Sequence, residues 1–341
     1  MNKLKKALRD PRLAIRFSKL LLIRAVNSIP VWSIIAFLSP KGVAPVIKNL
    51  STSNTTVVDS FWGRHTMVGP QLALIKTAYQ SRKYLEWRSA QYPLFEELMQ
   101  LYGEHDNEVV LDYGCGPAND MVGFLINTKA KKVIGIDVSM KALQFASYRI
   151  ALHNIPQERC ELIAVSDSKD RIPLEDSSVD YIYCEGVLHH ISDPQAKLRE
   201  FYRILKLGGH ACIMVYNADS IWLHLYVAYE KMILEKEFQG LTLHEAFART
   251  TDTEDCPIAR CYRPEEFLGL CEGAGFNAVY AGGYFSGLEL QLLSKYYSQA
   301  MNDERLGTEH RQFLRGLAYK GLPEYRGKYA GIGGVYKLYK K

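Results

Sequence analysis

The sequence predicts an α/β protein built on a doubly wound sheet with helices on both faces. Three observations lead there. Apolar segments of strand length alternate with helical stretches between residues 109 and 216. The first, Val109–Leu111, runs into Asp112 and the turn Tyr113-Gly114-Cys115-Gly116, whose glycines permit a tight reversal and close approach to a ligand. The second, residues 131–137, ends in Asp137. It lies about twenty residues past the glycines, where a βαβ unit presents a carboxylate to a ribose diol. A dinucleotide fingerprint would carry a third glycine at position 119, where this chain has Asn119, and that argues against NAD or FAD.

The remaining elements follow in chain order. The first 24 residues hold eight cations against the single acid Asp10, a net of +7, while the whole chain is +5, so the rest carries −2. The basicity belongs to this segment, and a nucleic-acid groove across the body is not supported. The uncharged stretch Ala25–Pro40 contains Pro30 and is shorter than the roughly 20 residues that span a bilayer. Three roles suit residues 1–40. They could lie at an anionic membrane surface, where each Lys or Arg adds about 1 kcal/mol, dock on the chain's own core, or act as a signal, although no small-residue cleavage site is evident. We favour the first. Residues 51–56 are a polar linker, which makes 1–60 an extension, and 61–104 an aromatic-rich helical cap.

The third strand, 162–165, leads to Ser166-Asp167-Ser168, acceptors suited to an adenine amino group. The fourth, 179–184, leads to Glu185-Gly186-Val187-Leu188-His189-His190. A helix starts near Pro194, and Leu205–His210 feeds the strand 211–216. Residues 217–262 form an insertion in which Ile221, Trp222, Leu225, Tyr226, Tyr229, Met232 and Ile233 recur at helical spacing, predicting an amphipathic lid. Pro264 and Gly273 to Gly275 punctuate the following helix, a second extension covers 287–327, and 334–339 is the closing strand. Seven cysteines without a CxxC pair indicate a reducing compartment and neither a disulfide framework nor a metal site; Cys256 and Cys261 are not read as a zinc pair.

The ordered motifs Leu-Asp-Tyr-Gly-Cys-Gly, Gly-Ile-Asp-Val-Ser, Asp-Ser-Ser-Val-Asp, Val-Leu-His-His and Leu-Lys-Leu-Gly-Gly resemble those of class I S-adenosylmethionine-dependent methyltransferases, particularly the ubiquinone and menaquinone biosynthesis branch. The resemblance covers roughly residues 105–217 and continues more weakly to about 285. It implies a Rossmann-like methyltransferase domain over 105–341 and S-adenosylmethionine as cofactor. Asp112, Gly114 and Gly116 would hold the methionine moiety, Asp137 the ribose, and Asp167 with Ser168 the adenine, with Glu185 on the cofactor side. Ala118 stands where the family often has a third glycine, and a slightly tighter loop is expected there. The cap would close over the cofactor and bring Tyr84, Trp87 and Arg88 to the acceptor, joined by Trp222 and Tyr226 of the lid.

An activated hydroxyl or carbon acid benefits from a base, and histidine suits that task near neutral pH. His189 is expected to face the acceptor and His190 to pack beneath the sheet. The expected function is methyl transfer to oxygen or carbon of a small or lipid-linked acceptor, by a cytoplasmic protein held peripherally at the inner membrane face. Alternatives are N-methylation of a soluble metabolite, RNA methylation, which the absence of an Asn-Pro-Pro-Tyr type motif after the fourth strand disfavours, and a non-catalytic partner retaining the fold.

Overall fold

A computed structural model describes residues 42–51, 55–168 and 171–341. The central sheet has the order β1-β4-β3-β2-β5-β6-β12-β8, with β7 also pairing β6. Its strands are β1 (Ile47–Asn49), β2 (Val109–Tyr113), β3 (Lys132–Asp137), β4 (Cys160–Ala164), β5 (Val179–Glu185), β6 (Leu205–Asn217), β7 (Cys261–Tyr262), β8 (Asn277–Tyr284) and β12 (Gly333–Tyr339). β1 through β6 pair in parallel, whereas β12 lies antiparallel between β6 and β8. β8 therefore runs parallel to β6 and ends on the same edge. The chain order reverses direction across the sheet between β2 and β5, and such a switch point opens a crevice at the carboxyl ends of the strands.

The buried faces follow from composition. Val110, Leu111, Val133, Ile182, Cys184, Ile213 and Val215 are all 5% exposed or less, as expected for parallel strands covered on both sides. One face carries α4 (Asn119–Asn127) and α5 (Met140–Ala151), the other α6 (Pro194–Ile204) and α8 (Pro264–Gly273). The amino-terminal cap comprises α1 (Val57–Arg64), α2 (Ala78–Ala90) and α3 (Phe95–Met99). Thr56 caps α1 reciprocally with Asp59, and Thr77 caps α2. The edge strand β1 was not foreseen, because its three residues carry no alternating pattern.

The insertion after β6 departs from expectation. Its main helix, Trp222–Leu234, is wound with i→i+5 bonds, and Glu235 N donates to Glu230 O at 2.8 Å. Instead of one apolar stripe it is buried nearly all round: Leu223, His224, Leu225, Val227, Ala228, Tyr229, Glu230 and Lys231 are all buried. The reason is that it has neighbours on more than one side. Ile221, Leu225 and Tyr229 pack on Leu292, Leu293, Phe313 and Leu314 of α9 (Gly287–Asn302) and α10 (Thr308–Arg315), while Leu223 and Val227 pack on Phe247 of α7 (Leu243–Thr251). The two insertions thus form one helical layer, closed by the small sheet of β9 (Leu317–Lys320), β10 (Leu322–Tyr325) and β11 (Lys328–Tyr329). No helix among the described residues is long and apolar enough to cross a membrane. The basic segment 1–40 lies outside the described residues.

Candidate active site

A cavity of about 560 Å³ opens at the carboxyl edge of the sheet and is roofed by the cap and the lid. Its floor is the β2 turn. Gly114 has φ +81°, and a Cβ there would come within 2.1 Å of Val187 Cγ2, so glycine lets the β5 loop lie against the turn. Gly116, at φ +50°, faces open space with nothing within 4 Å of where a Cβ would stand. Ala118 also adopts a left-handed conformation, φ 59° and ψ 45°, as N-cap of α4. That conformation explains why glycine suits the position, and an alanine there carries roughly 1–2 kcal/mol of strain.

Asp137 Oδ2 accepts from Gly116 N at 2.8 Å and Oδ1 from Ser139 N at 2.7 Å, so the end of β3 fastens the turn from beside it. Burial raises the Asp137 pKa, while the amides of Ser139, Gly116 and Val138 work the other way. Asp112 is 3% exposed and its Oδ2 has no hydrogen-bond partner. Burial, reinforced by Asp120 and Glu185, holds its pKa well above the ordinary carboxyl range. An orphaned buried carboxyl oxygen on a cavity wall is the mark of a site shaped for a cationic or donor ligand.

Arg88 is held at the cavity wall by two carboxylates. Its Nη1 reaches Asp120 Oδ1 at 2.8 Å and its Nη2 reaches Glu185 Oε2 at 2.9 Å, and Glu185 Oε1 accepts from Tyr284 OH at 2.9 Å. Burial alone would lower the Arg88 pKa, but Asp120 and Glu185 drive it well above its usual value. This chain of contacts locks α2 over the ends of β5 and β8. Both oxygens of Glu185 are engaged by protein groups, so it reaches a ligand through Arg88 and Tyr284. Arg149, fully buried on α5, ties the same region from behind: it donates to Ser81 of α2 at 2.8 Å, to Asn119 Oδ1 at 2.8 Å, and to the carbonyls of Pro117 and Ala118. Burial lowers its pKa to about 10.

Of the two residues expected near the adenine, one reaches the cavity wall. Asp167 lines the cavity, but its carboxyl accepts from Ser192 Oγ at 2.5 Å and its amide donates to Asp59 of α1 at 2.8 Å. Ser168 lies outside the cavity wall, with its hydroxyl 2.9 Å from that of Ser166. The serine follows the strand end but turns back toward its own loop.

The two histidines exchange their expected places. His189 is fully buried and off the cavity, with both ring nitrogens unpartnered and its ring 3.9 Å from that of Tyr216. Burial, with His190 and Arg260, holds its pKa well below 6.5. His190 lines the cavity beside Trp62 and Tyr216. Its Nδ1 lies 2.6 Å from the carbonyl of Ile258, so it donates there and leaves the Nε2 lone pair free, 3.6 Å from Asp252 Oδ2. The helical turn Leu188–His190 rotates successive side chains by about 120°, so only one of the pair can face the ligand.

Tyr84, Trp87, Arg88 and Trp222 all line the cavity. Tyr226 does not: it packs edge-on against Trp222 at 4.6 Å, with the Lys231 ammonium 5.5 Å above its ring. The winding of the lid helix carries it into the helical layer. Several wall residues were missed from sequence. Tyr216 and Tyr284 stand at ends of β6 and β8, where the strand-edge rule could have found them. Asp252 and Asp120 gave no local signal, since each follows or opens a helix like an ordinary capping acid.

A family profile described as "Methyltransferase domain" matches residues 104–255. The ubiquinone biosynthesis O-methyltransferase of Neisseria meningitidis serogroup C is 31% identical over 194 residues, 55% of this chain and 70% of that protein. The 2-methyl-6-phytyl-1,4-hydroquinone methyltransferase 1 of Oryza sativa subsp. japonica is 30% identical over 198 residues, 57% of this chain and 56% of its own length. Against a 37.1 kDa transposon protein of Streptomyces fradiae the identity is 32%, over 41% of that protein. The chain thus spans about half the length of these last two relatives. Among solved structures, phosphoethanolamine N-methyltransferase 2 of Haemonchus contortus, in complex with S-adenosyl-L-methionine, aligns with a TM-score of 0.49 at 15% identity, covering 85% of this chain and 60% of that one. The family profile falls on the strands and turns that build the cavity floor, and the Neisseria relative is matched over most of its length. The chain belongs to the class I S-adenosylmethionine-dependent methyltransferases.

Proposed function

We propose that the protein transfers the methyl group of S-adenosylmethionine to an oxygen or carbon of a hydroxylated aromatic acceptor, free or carried on a lipid tail. The observation that carries this is a single cavity whose floor is acidic and whose far end is His190 with Asp252, joined by aromatic walls that include Trp62, Tyr84, Trp87 and Tyr92. The relatives named for ubiquinone and phytyl-hydroquinone methylation support an acceptor of that kind.

The floor fits the cofactor. Asp112, Asp120, Asp137 and Glu185 outnumber Arg88, which suits a ligand bearing an ammonium and a sulfonium. Asp112, with its orphaned oxygen, would hold the methionine ammonium near Gly114 and Gly116, and Asp137 would accept from the ribose while still fastening the Gly116 amide. When bound, the cofactor supplies an electrophilic methyl on positively charged sulfur. The protein's own task is then to align the acceptor and exclude water. Arg88 closes α2 over the floor, and the aromatic walls sandwich a ring. His190 Nε2 is placed to withdraw the acceptor's proton or hold its hydroxyl. The basic segment 1–40 would bring the protein to an anionic bilayer where lipid-tailed acceptors reside.

The test is transfer of a tritiated methyl group to a panel of catechols and hydroquinones with and without prenyl tails, read by product mass. A gain of one methyl on an oxygen or ring carbon is expected. Transfer only to amines, or none in a protein that binds S-adenosylhomocysteine, overturns the acceptor assignment.

A further inference from the structure

The far end of the cavity brings together three groups that the sequence keeps apart. His190 follows β5, Asp252 ends α7, and Cys256 lies in the loop before β7. One ligand atom from each lies within 4.8 Å of the other two. His190 Nε2 and Asp252 Oδ2 are 3.6 Å apart, and Cys256 Sγ is 3.8 Å from the Nδ1 of the same ring. Tetrahedral zinc with bonds of about 2.0–2.3 Å sets its ligand atoms roughly 3.3–3.8 Å apart, a spacing that His190 Nε2 and Asp252 Oδ2 already meet, whereas Cys256 Sγ must swing from beside Nδ1 toward them. We propose that His190, Asp252 and Cys256 form a divalent-metal site, suited to zinc, with its open position facing the acceptor end of the cavity.

Independent features of the geometry support this. The Ile258 carbonyl takes the Nδ1 proton at 2.6 Å, which directs the Nε2 lone pair toward Asp252. Two hydrogen-bond acceptors therefore face each other across 3.6 Å, an arrangement that calls for a cation or a donor between them. An outer-shell carbonyl on the other ring nitrogen is the usual support for a metal-bound histidine. Asp252 Oδ2 is steadied by Thr251 Oγ1 at 3.1 Å and by Tyr216 OH at 3.4 Å. Arg260, a cation whose charge acts on His190, spends its guanidinium on the carbonyls of Ile191 and Ser192 at 2.7 and 3.4 Å.

One nitrogen, one oxygen and one sulfur ligand leave a fourth position, the pattern of catalytic rather than structural zinc. Metal binding would expel the Cys256 proton to solvent, since burial otherwise pushes that thiol up to about 12. With the metal bound, His190 Nε2 would be a ligand and no longer a base; a hydroxyl oxygen in the fourth position would instead ionise more readily, as zinc-bound water does, its proton also passing to solvent. Only the identity of that fourth ligand rests on the proposed function; the metal site itself does not.

The test is cobalt(II) titration of the metal-stripped full chain. One equivalent should bind and give a thiolate-to-cobalt charge-transfer band. Cys256→Ser should lose the band, and Asp252→Asn should weaken binding by about tenfold or more, at least the cost of losing an outer-shell partner. A second measurement uses the thiols directly: Cys256 alone among the seven is not buried, so a thiol reagent should modify one cysteine ahead of the other six. Zinc should protect it in the wild type and not in His190→Ala. No charge-transfer band at one equivalent, or a band that persists in Cys256→Ser, overturns the site. S-adenosylhomocysteine binding is measured on every protein as the check of fold. If the wild type binds cobalt as expected but no methyl acceptor is found, the acceptor assignment fails while the metal site stands.

Discussion

Asp112 and His190 are the two residues on which the proposed chemistry turns, and each makes a measurable prediction. Burial holds the Asp112 pKa well above the ordinary carboxyl range, so in acid the residue is neutral and a cationic ligand meets no counter-charge. Affinity for S-adenosylmethionine should rise with pH as Asp112 ionises. Asp112→Asn should flatten that dependence and cost about 1.5–3 kcal/mol of binding at neutral pH, measured by calorimetry. For the histidines, His190→Ala should lower turnover by about 10²–10⁴ with cofactor affinity intact, the usual range for a lost acid–base group. His189→Ala, which empties a packed position against Tyr216, should show mainly as a lower denaturation midpoint. A larger turnover loss in His189→Ala than in His190→Ala would overturn the assignment of His190 to the acceptor side.

At the scale of elements, the cap is held by few but strong contacts. Arg88 is 15% exposed in its side chain and pairs with Asp120 at 7% and Glu185 at 19%. Removing one partner of a buried pair costs about 3–5 kcal/mol, because the charges left behind stay desolvated. Arg88→Met should therefore destabilise the fold by that order in urea melts, expose α2 to proteolysis and weaken S-adenosylhomocysteine binding together. Arg88→Lys, which keeps charge but loses the two-pronged geometry, should fall between. The lid differs in kind. Glu289, fully buried at the start of α9, accepts from the amides of Ser286, Trp222 and Ile332, so it joins three segments at the cavity rim. Burial raises its pKa to about 8 against the pull of those amides.

For the whole molecule, the buried histidines should make acid destabilising. Burial lowers the pKa of His153 to about 4 and holds those of His189, His190, His210, His224 and His310 below 6.5. The unfolded chain therefore takes up protons that the fold refuses. This contribution to stability is complete above about pH 6.5 and is lost as pH falls toward the folded values. Buried carboxyls work the other way, since the raised pKa of Glu289 adds stability as pH falls, so the histidine contribution is read by difference: the midpoint of the wild type relative to His224→Phe should decline from pH 7.5 to 5. The charge distribution gives a second global prediction. With +7 in the first 24 residues and −2 beyond, deleting residues 1–40 should abolish sedimentation with phosphatidylglycerol vesicles, and salt should weaken binding of the full chain. Equal pelleting of both proteins would remove the membrane from the proposed function.

The sequence by itself determined the strands β2 to β6, the closing strand β12 and the acids at their ends, because parallel strands buried on both faces read as apolar runs, and turns need glycine. It also brought Asp112, Gly114, Gly116 and Asp137 to one cavity wall, because all four are local to one βαβ unit. Only the tertiary structure decided what meets across long separations. Arg88 finds Glu185 over 97 residues, and His190 meets Asp252 and Cys256 from different segments. Which of two adjacent histidines faces the ligand depends on the rotation of a single turn, and whether Tyr226 reaches the cavity depends on the winding of the lid helix. Neither leaves a periodic trace in composition, since a side chain's direction is fixed there by the packing of neighbours distant in sequence rather than by the residues beside it.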